Sequence, residues 1–403
     1  MGKETVNGKF IGGPNILFAE GHEWKKHRKI ANPAFHRAMP VELFNNLTHR
    51  MLRTMKAEMD QNGVIDIHDI MTRWTLEAIG KAGFGFDFGA IEDKNSKWVR
   101  TYDTINEAMR DFKFLFFPVL DTYLVSLFPE RQKAHKELDR FMHLLDEIIE
   151  NKRSDLQKQR DLGTKESERD LLTLMIESEL DGEGALTNEE LKSDLCIFFL
   201  AGHDTTANAL AFAIYYLAKN PHIQEKARQE TIAVLGDEPK DITPTAEETK
   251  GMQYLNCIIK ETLRIAPPAT TVTPRRLTQD TEIGSHVFPK GTDVTLDIYE
   301  IHHNPRVWDN PSEFRPERFL PGGEAENLAL SGKGMAWLPF GNGARQCIGM
   351  NFSMAEQRIM LPSLLRKYDW TLPADSIHKD KVITNNGGFL TPYDLKIAFK
   401  ERY

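Results

Sequence analysis

A glycine-rich stretch near the C-terminus, FGNGARQCIG at residues 340–349, carries one of only three cysteines in this 403-residue chain. Glycines on both sides of Cys347 let the backbone approach a flat ligand closely, and N–H groups pointing at the sulfur would stabilise a thiolate. The helix that we expect to follow adds its positive N-terminal end. Arg345 supplies a fixed positive charge for an anionic group. The stretch therefore predicts a thiolate metal ligand.

Other functions of this loop are less well supported. A lone cysteine is most often a small core residue, but the flanking glycines argue against that here. A dinucleotide-binding fingerprint fails, because Gln346 stands where its third glycine would be and no βαβ pattern precedes it. A nucleophilic cysteine would need a positioned base, and the sequence leaves that alternative open.

A second chemical segment is AGHDTT at residues 201–206, inside a long apolar run. Gly202 costs a helix interior about 1 kcal/mol, so we expect it to have a reason. Asp204 and Thr205 are poor interior residues because their side chains compete for backbone hydrogen bonds. The segment predicts a locally bent and hydrated helix.

Charged and histidine pairs complete the set of candidate groups. Glu261 and Arg264 lie one helical turn apart and can pair, which as a surface contact would contribute only about 0.3–0.5 kcal/mol. His22 and His27 are five residues apart, not the four that place two zinc ligands on one helix face. His302 and His303 precede Asn-Pro and are expected on a turn.

The composition restricts the class of protein. Apolar residues make up 40% and charged residues 27%, as in a soluble globular protein. The net charge of −8 argues against binding to nucleic acid. Cys196, Cys257 and Cys347 are too few and too widely spaced for a disulfide framework, which favours a reducing environment facing the cytosol. We find no signal-peptide pattern and no uninterrupted apolar run of about 18 residues.

Hydrophobic periodicity predicts helices up to about residue 265 and short antiparallel strands after it. The expected helices are 23–37, 40–60, 72–86, 97–128 with one break at Pro118, and 130–160, with a solvated loop at 163–170. A capping box of Thr187 and Glu190 begins the longest helix, which ends at Asn220 and is apolar nearly all round, as a central buried helix would be. An irregular segment at 303–340, a helix at 350–367 and a hairpin region at 382–400 follow. One mainly α-helical domain with a small β region, residues 1–403, is expected.

The motifs resemble those of the cytochrome P450 family, the haem-thiolate monooxygenases. FGNGARQCIG resembles the haem-binding signature, with Phe340, Gly341, Arg345, Cys347 and Gly349 in place. Four more motifs follow the family's pattern: the oxygen-activation segment AGHDTT (201–206), the Glu-x-x-Arg motif ETLR (261–264), the meander arginine of FRPERF (314–319) and the Trp-x-x-x-Arg helix of WKKHR (24–28). The match covers residues 20 to about 395 and implies the family's fold.

The resemblance implies a role for each matching residue. It makes Cys347 the axial ligand of haem b iron, with Asp204 and Thr205 relaying protons through water to dioxygen. Glu261, Arg264 and Arg318 would form a buried triad that supports the haem loop. The residues expected to contact haem are Trp24, Arg28, Arg275, Phe340, Arg345, Cys347 and Gly349, the four basic or indole side chains among them binding its propionates. The residues expected to line the substrate pocket are Phe198, Ala201, Pro268, Ala269, Val272, Phe389 and Leu390.

The implied activity is insertion of one atom of dioxygen into a lipophilic substrate. The electrons would come from NADPH through a reductase, which the basic patch of Lys25, Lys26 and Lys29 could attract. A haem-thiolate isomerase or peroxygenase, or an inactive truncated haem-binding protein, are the alternatives, and Asp204 with Thr205 counts against the first two. A monomer with no nucleic-acid partner is expected.

Family members carry a membrane anchor, two helices and most of a β-sheet before the Trp-x-x-x-Arg helix, which here begins near residue 23. We therefore expect this chain to lack its N-terminal portion. The expected location faces the cytoplasm, at the endoplasmic reticulum membrane if the natural N-terminus carries an anchor, and soluble as given.

Overall fold

Helices dominate the chain, as predicted. The computed structural model describes residues 2–36, 39–162, 169–180, 184–386 and 388–403, so most of the loop predicted at 163–170 lies outside the described residues. Two compact units are present. The first comprises Met1–Asp60, Asp69–Ala207 and Asn351–Ile359, and the second comprises Gln61–His68, Asn208–Met350 and Met360–Tyr403.

The α-helices agree with most of the predicted segments. In chain order they are α1 (Val6–Ile11), α2 (Gly21–His36), α3 (Val41–Glu58), α4 (Ile67–Ile79), α5 (Lys97–Arg110), α6 (Phe112–Phe116), α7 (Pro118–Thr122), α8 (Pro129–Leu162), α9 (Leu171–Leu180), α10 (Asn188–Lys219), α11 (Pro221–Leu235), α12 (Ala246–Gly251), α13 (Gln253–Ile265), α14 (Ile298–His303), α15 (Glu324–Leu328) and α16 (Met350–Lys367). The helix predicted at 72–86 begins earlier, at Ile67, and ends in a π-helical turn over Gly80–Phe84.

The segment 97–128 is not the once-broken helix that was predicted. It forms α5, α6, α7 and a 3-10 turn at Val125–Leu127. Asp111 separates α5 from α6, because its carboxylate accepts a hydrogen bond from the backbone N of Lys113 at 3.0 Å and so caps the new helix. Several of the aromatic and aliphatic side chains that gave the segment its helical pattern are exposed, Phe116 by 72%. They therefore do not form one buried helix face.

Helix α10 begins with the predicted capping box, but the prediction that it is the longest helix is wrong, because α10 spans 32 residues and α8 spans 34. The backbone N of Glu190 donates to Thr187 Oγ1 at 3.2 Å, and the backbone N of Thr187 donates to Glu190 Oε2 at 2.7 Å. Among the described residues it is the one helix long and apolar enough to cross a membrane, yet 78% of its most apolar stretch is buried inside the protein. Such burial is typical of a core helix.

The strands form small antiparallel sheets. They are β1 (Val64–Asp66), β2 (Arg275–Arg276), β3 (Thr281–Ile283), β4 (His286–Phe288), β5 (Asp293–Val294), β6 (Tyr368–Thr371), β7 (Thr384–Asn386), β8 (Leu390–Pro392) and β9 (Lys396–Glu401). β2 pairs with β5, β3 with β4, and β7 with β8. The hairpin predicted at 382–400 is right only for β7 and β8. Instead β9 lies between β1 and β6, where its alternating side chains Ile397 and Phe399 are buried.

A buried charge network fixes the irregular segment 303–340, here called the meander, to α13. Glu261 Oε2 accepts from Arg264 Nε at 2.7 Å, and Glu261 Oε1 accepts from Arg318 Nε at 3.2 Å. All three side chains are fully buried. The backbone N of Arg315 adds a bond of 2.9 Å to Glu261 Oε1. Burial raises the pKa of Glu261, and the two guanidinium groups oppose that shift. The structure thus brings the predicted triad into one network.

We expect Glu261→Ala to lower the free energy of unfolding by about 3–5 kcal/mol, because it leaves two guanidinium groups buried without their carboxylate. The measurement is the urea-unfolding midpoint of the purified protein. Glu247→Ala, at an exposed glutamate of α12, is the matched control and should change stability by less than about 0.5 kcal/mol. Equal midpoints for the two variants would contradict a structural role for the triad.

Candidate functional site

The loop around Cys347 is shaped by its own backbone. The N–H of Cys347 donates to the carbonyl of Phe340 at 2.9 Å, which closes the loop. Gly341 and Gly343 have φ values of 65° and 70°, in the left-handed region that favours glycine. The thiol of Cys347 is exposed, and α16 begins three residues later at Met350. The loop therefore presents one thiol beside the N-terminal end of an 18-residue helix.

The other two cysteines are in a different environment. Cys196 and Cys257 are buried, and burial raises the pKa of the first thiol to about 12 and of the second to about 11. A thiol is a metal ligand only as thiolate, so these two residues are poor candidates. The exposed Cys347 is the cysteine that a metal could reach.

His302 connects the triad to the backbone just before the cysteine loop, a role that no sequence pattern indicated. His302 O accepts from Arg264 Nη1 at 2.8 Å, and His302 Nε2 accepts from the backbone N of Leu338 at 2.8 Å. Burial, together with the charge of Arg264, lowers the pKa of His302 to about 3, so its ring is neutral and can accept. Its other nitrogen, Nδ1, lies 3.1 Å from Arg264 O. The turn predicted for this residue is wrong, because it lies in α14, fully buried.

In the first unit, Asp204 of the AGHDTT segment lies between His203 and Arg110. Asp204 Oδ1 is 3.2 Å from His203 Nε2, and Asp204 Oδ2 accepts from Arg110 Nη2 at 3.0 Å. His203 Nδ1 is 2.8 Å from the carbonyl of Phe199. A carbonyl oxygen accepts, so His203 Nδ1 donates to Phe199, while Nε2 faces the carboxylate of Asp204. Burial lowers the pKa of His203, but its contacts with Asp204 outweigh burial and leave that pKa raised.

Arg110 could not have been found from the sequence. It ends α5, 94 positions before Asp204, and no local pattern joins the two. Its side chain is 47% exposed, whereas the side chain of Asp204 is 8% exposed. Arg110 therefore links a buried carboxylate to the surface of the unit.

The threonines that follow Asp204 differ in their partners. Thr205 Oγ1 donates to the carbonyl of Ala201 at 2.8 Å, a back-bond that bends helices. Thr206 Oγ1 donates to Ser353 Oγ on α16 at 2.9 Å. One turn along α16 from Ser353 lies Glu356, fully buried, and burial holds the pKa of its carboxyl well above the usual range. The segment therefore combines an exposed hydroxyl with a buried polar cluster.

Gly202 permits close packing of two helices. A Cβ at this position would lie 3.0 Å from Cγ1 and 3.1 Å from Cδ1 of Ile79 in α4. Such distances are shorter than ordinary van der Waals contacts, so the side chain of Ile79 would have to move by a few tenths of an ångström to admit a Cβ here. This is the reason for glycine that the sequence left open.

The residues predicted to bind propionates are distributed over both units. Trp24 and Arg28 lie on α2 in the first unit, each half-buried. In the second unit, Arg345 lies half-buried in a 3-10 turn of the cysteine loop, and Arg275 is exposed on β2. These assignments stay predictions.

The predicted pocket residues fall into two groups. In the second unit the backbone N of Leu390 donates to the carbonyl of Pro268 at 2.8 Å, which joins the segment holding Ala269 and Val272 to the one holding Phe389. In the first unit Ala201 is exposed, whereas Phe198 is only 4% exposed and packs edge-on against Phe35. The burial of Phe198 favours a packing role for that residue.

Comparisons with known proteins agree with this geometry. Human cytochrome P450 3A5 is 30% identical over 366 residues, covering 88% of this chain and 69% of that protein. Rabbit (Oryctolagus cuniculus) cytochrome P450 4A7 is 29% identical over 365 residues, with 89% and 69% covered. The crystal structure of the cytochrome P450DA heme domain superposes with a TM-score of 0.80 at 26% identity, covering 99% of this chain and 82% of that one. Since the sequence model of the cytochrome P450 family matches residues 3–399, the chain belongs to that family, whose members are haem-thiolate monooxygenases.

Proposed function

We propose that this protein is a monomeric haem-thiolate monooxygenase that inserts one atom of dioxygen into a lipophilic substrate, with electrons from NADPH through a reductase. The observation that carries the proposal is the exposed thiol of Cys347, which the glycine-rich loop presents at the start of α16. Family membership supplies the class of activity.

The cysteine loop fits a planar cofactor. A Cβ at Gly341 or Gly343 would lie in open space, and a Cβ at Gly349 would lie 4.0 Å from Cys347 Sγ. Haem held by a thiolate would supply an electron-rich iron, which favours cleavage of the O–O bond. Cys347 would hold that group, and Trp24, Arg28, Arg275 and Arg345 would bind its propionates, as the family resemblance suggests. Phe340, whose carbonyl closes the loop on Cys347, would pack beside the ligand.

Proton delivery is the proposed task of the AGHDTT segment. The exposed hydroxyl of Thr205 donates its proton in a hydrogen bond to the Ala201 carbonyl. Asp204 is the adjacent carboxylate, and Nε2 of His203 lies 3.2 Å from its Oδ1. Arg110, whose side chain is 47% exposed, would link Asp204 Oδ2 to the surface of the unit. Water would connect Asp204 to the threonine hydroxyl.

The proposed substrate class follows from apolar residues of the second unit. Pro268, Ala269, Val272, Phe389 and Leu390 offer aliphatic and aromatic surface and no charge. The hydrogen bond from Leu390 N to Pro268 O keeps their two segments adjacent. A lipophilic substrate suits such a lining, because apolar burial is the main source of its binding energy.

Ligation by Cys347 is tested by the absorption spectrum of the reduced, carbon-monoxide-bound protein. We expect a thiolate-type Soret band in the wild type and its loss in Cys347→Ser, since a hydroxyl does not ionise to replace the thiolate. Cys257→Ser, at a buried cysteine of the same unit, should keep the band. A histidine-type band in the wild type, or a thiolate band that survives Cys347→Ser, would overturn the proposal.

The role of Thr205 is tested by the ratio of product formed to NADPH consumed, with a lipophilic substrate that the wild type converts. Thr205→Ala removes the hydroxyl proton and should lower this ratio on the order of ten-fold. Thr205→Ser keeps the hydroxyl and should keep most of the coupling. Unchanged coupling in Thr205→Ala would contradict the assignment.

The basic face of α2 is the proposed contact for an acidic electron donor. Lys25 and Lys29 are exposed there, on a chain of net charge −8. We expect the rate of reduction by the reductase to fall as ionic strength rises, because salt screens long-range attraction. The double variant Lys25→Gln/Lys29→Gln should flatten that dependence, and Lys250→Gln, at an exposed lysine of α12, should leave it unchanged. A rate independent of salt in the wild type would remove this surface from the proposal.

A further inference from the structure

A buried histidine of α2 has one ring nitrogen that the fold of the first unit leaves unsatisfied. His27 is fully buried, and its Nδ1 lies 2.7 Å from Asp194 Oδ2 on α10. Its Nε2 has no hydrogen-bond partner among the residues that the structure describes, although Glu190 Oε1 stands 3.9 Å away. A buried polar atom without a partner is costly, so a group that binds Nε2 would be stabilised there.

Two carboxylates face the same point as this nitrogen. Glu190 belongs to the first turn of α10, and Glu23 precedes His27 by four residues, one turn along α2. One ligand atom from each of Glu23, His27 and Glu190 lies within 4.8 Å of the other two. Glu23 is exposed, so the cluster opens to solvent on one side. The two-histidine zinc pattern that fails in HEWKKH is thus replaced by a glutamate and a histidine at the required spacing.

We propose that Glu23, His27 and Glu190 form a binding site for a divalent transition metal of the zinc class, separate from the cysteine loop. One imidazole nitrogen with two carboxylate oxygens, and a fourth position left for water, is a ligand set that zinc uses. The imidazole favours zinc over magnesium or calcium, which prefer oxygen ligands alone. Zinc ligands at about 2.0–2.2 Å from a common ion lie roughly 3.4 Å apart, so the 3.9 Å gap has to close by only about 0.5 Å.

Asp194 is placed to orient the ligating ring. A carboxylate on Nδ1 fixes the tautomer of a histidine so that Nε2 presents its lone pair outward, which is the arrangement that supports metal-bound histidines. Asp194 also accepts from the backbone N of Ile16 at 2.7 Å and is fully buried, so its position is fixed by the fold. The second layer of the site is therefore already in place.

Lys26 is the competitor of the metal. Its ammonium donates to Glu190 Oε1, the oxygen that faces His27, at 2.7 Å and to Glu190 Oε2 at 3.0 Å. Glu190 Oε2 is engaged by the capping box, where it accepts from the N of Thr187. A metal would therefore displace Lys26 from Oε1 and leave the cap intact. In the rival arrangement no metal binds, and Lys26 keeps its contact with Glu190 Oε1.

The experiment is zinc titration of the haem-loaded, chelator-treated protein by calorimetry. We expect one equivalent to bind, at least about ten-fold more weakly in Glu23→Gln, which removes a ligand charge at an exposed position without touching the core. Glu189→Gln, at the exposed acid beside Glu190, is the matched control and should bind as the wild type does. Lys26→Met should bind roughly ten-fold more tightly, because it removes the competing ammonium.

Two results would overturn the proposal. Absence of zinc binding in both the wild type and Lys26→Met would show that Glu23, His27 and Glu190 hold no metal. Binding of equal affinity in the wild type, Glu23→Gln and Lys26→Met would place the zinc elsewhere on the protein. Because the readout is zinc affinity, neither result depends on monooxygenase activity.

Discussion

A carboxylate that is fully removed from water is the constraint on which the second unit depends. Glu261 can remain charged there only while Arg264 and Arg318 stay in contact with it, and each arginine also bonds backbone carbonyls. The network therefore fixes α13, α14 and the meander together. Through the neutral ring of His302 it reaches the backbone at Leu338, two residues before the cysteine loop begins. The buried charge of the triad and the backbone at Leu338 are thus joined by one chain of hydrogen bonds.

The first unit applies the same physics to a different end. Asp204 is buried inside an apolar helix, where its carboxylate contacts His203 and Arg110. Unlike the triad, this cluster is open on one side, since Arg110 is half-exposed. A closed network is suited to holding backbone still, whereas an open one can exchange protons and partners. The closed cluster is therefore the better candidate for structural support, and the open one is the candidate that we propose for proton transfer.

Local patterns allowed prediction of what short stretches do alone. The capping box of α10, the bounds of α16 and the pairing of Glu261 with Arg264 all involve residues within one or two helical turns, and the structure has each of them. Contacts between distant segments had no such signal: Arg110 meets Asp204 across 94 positions, and β9 pairs with β1 rather than with its neighbours. The aromatic residues of 112–128 led to a wrong helix prediction, because periodicity records the spacing of apolar residues and not their burial, and several of these side chains are exposed. The family resemblance supplied the third member of the triad, Arg318, which periodicity alone could not.

The contrast among the three cysteines has a practical consequence. Cys196 and Cys257 are buried with raised thiol pKa values, so a thiol-specific alkylating reagent would meet a single reactive sulfur in the folded protein. That sulfur belongs to Cys347. If Cys347 holds haem, as we propose, the fraction of molecules alkylated at Cys347 measures the fraction of molecules without haem. The alkylated fraction can be read from the mass of the protein, without any knowledge of the substrate.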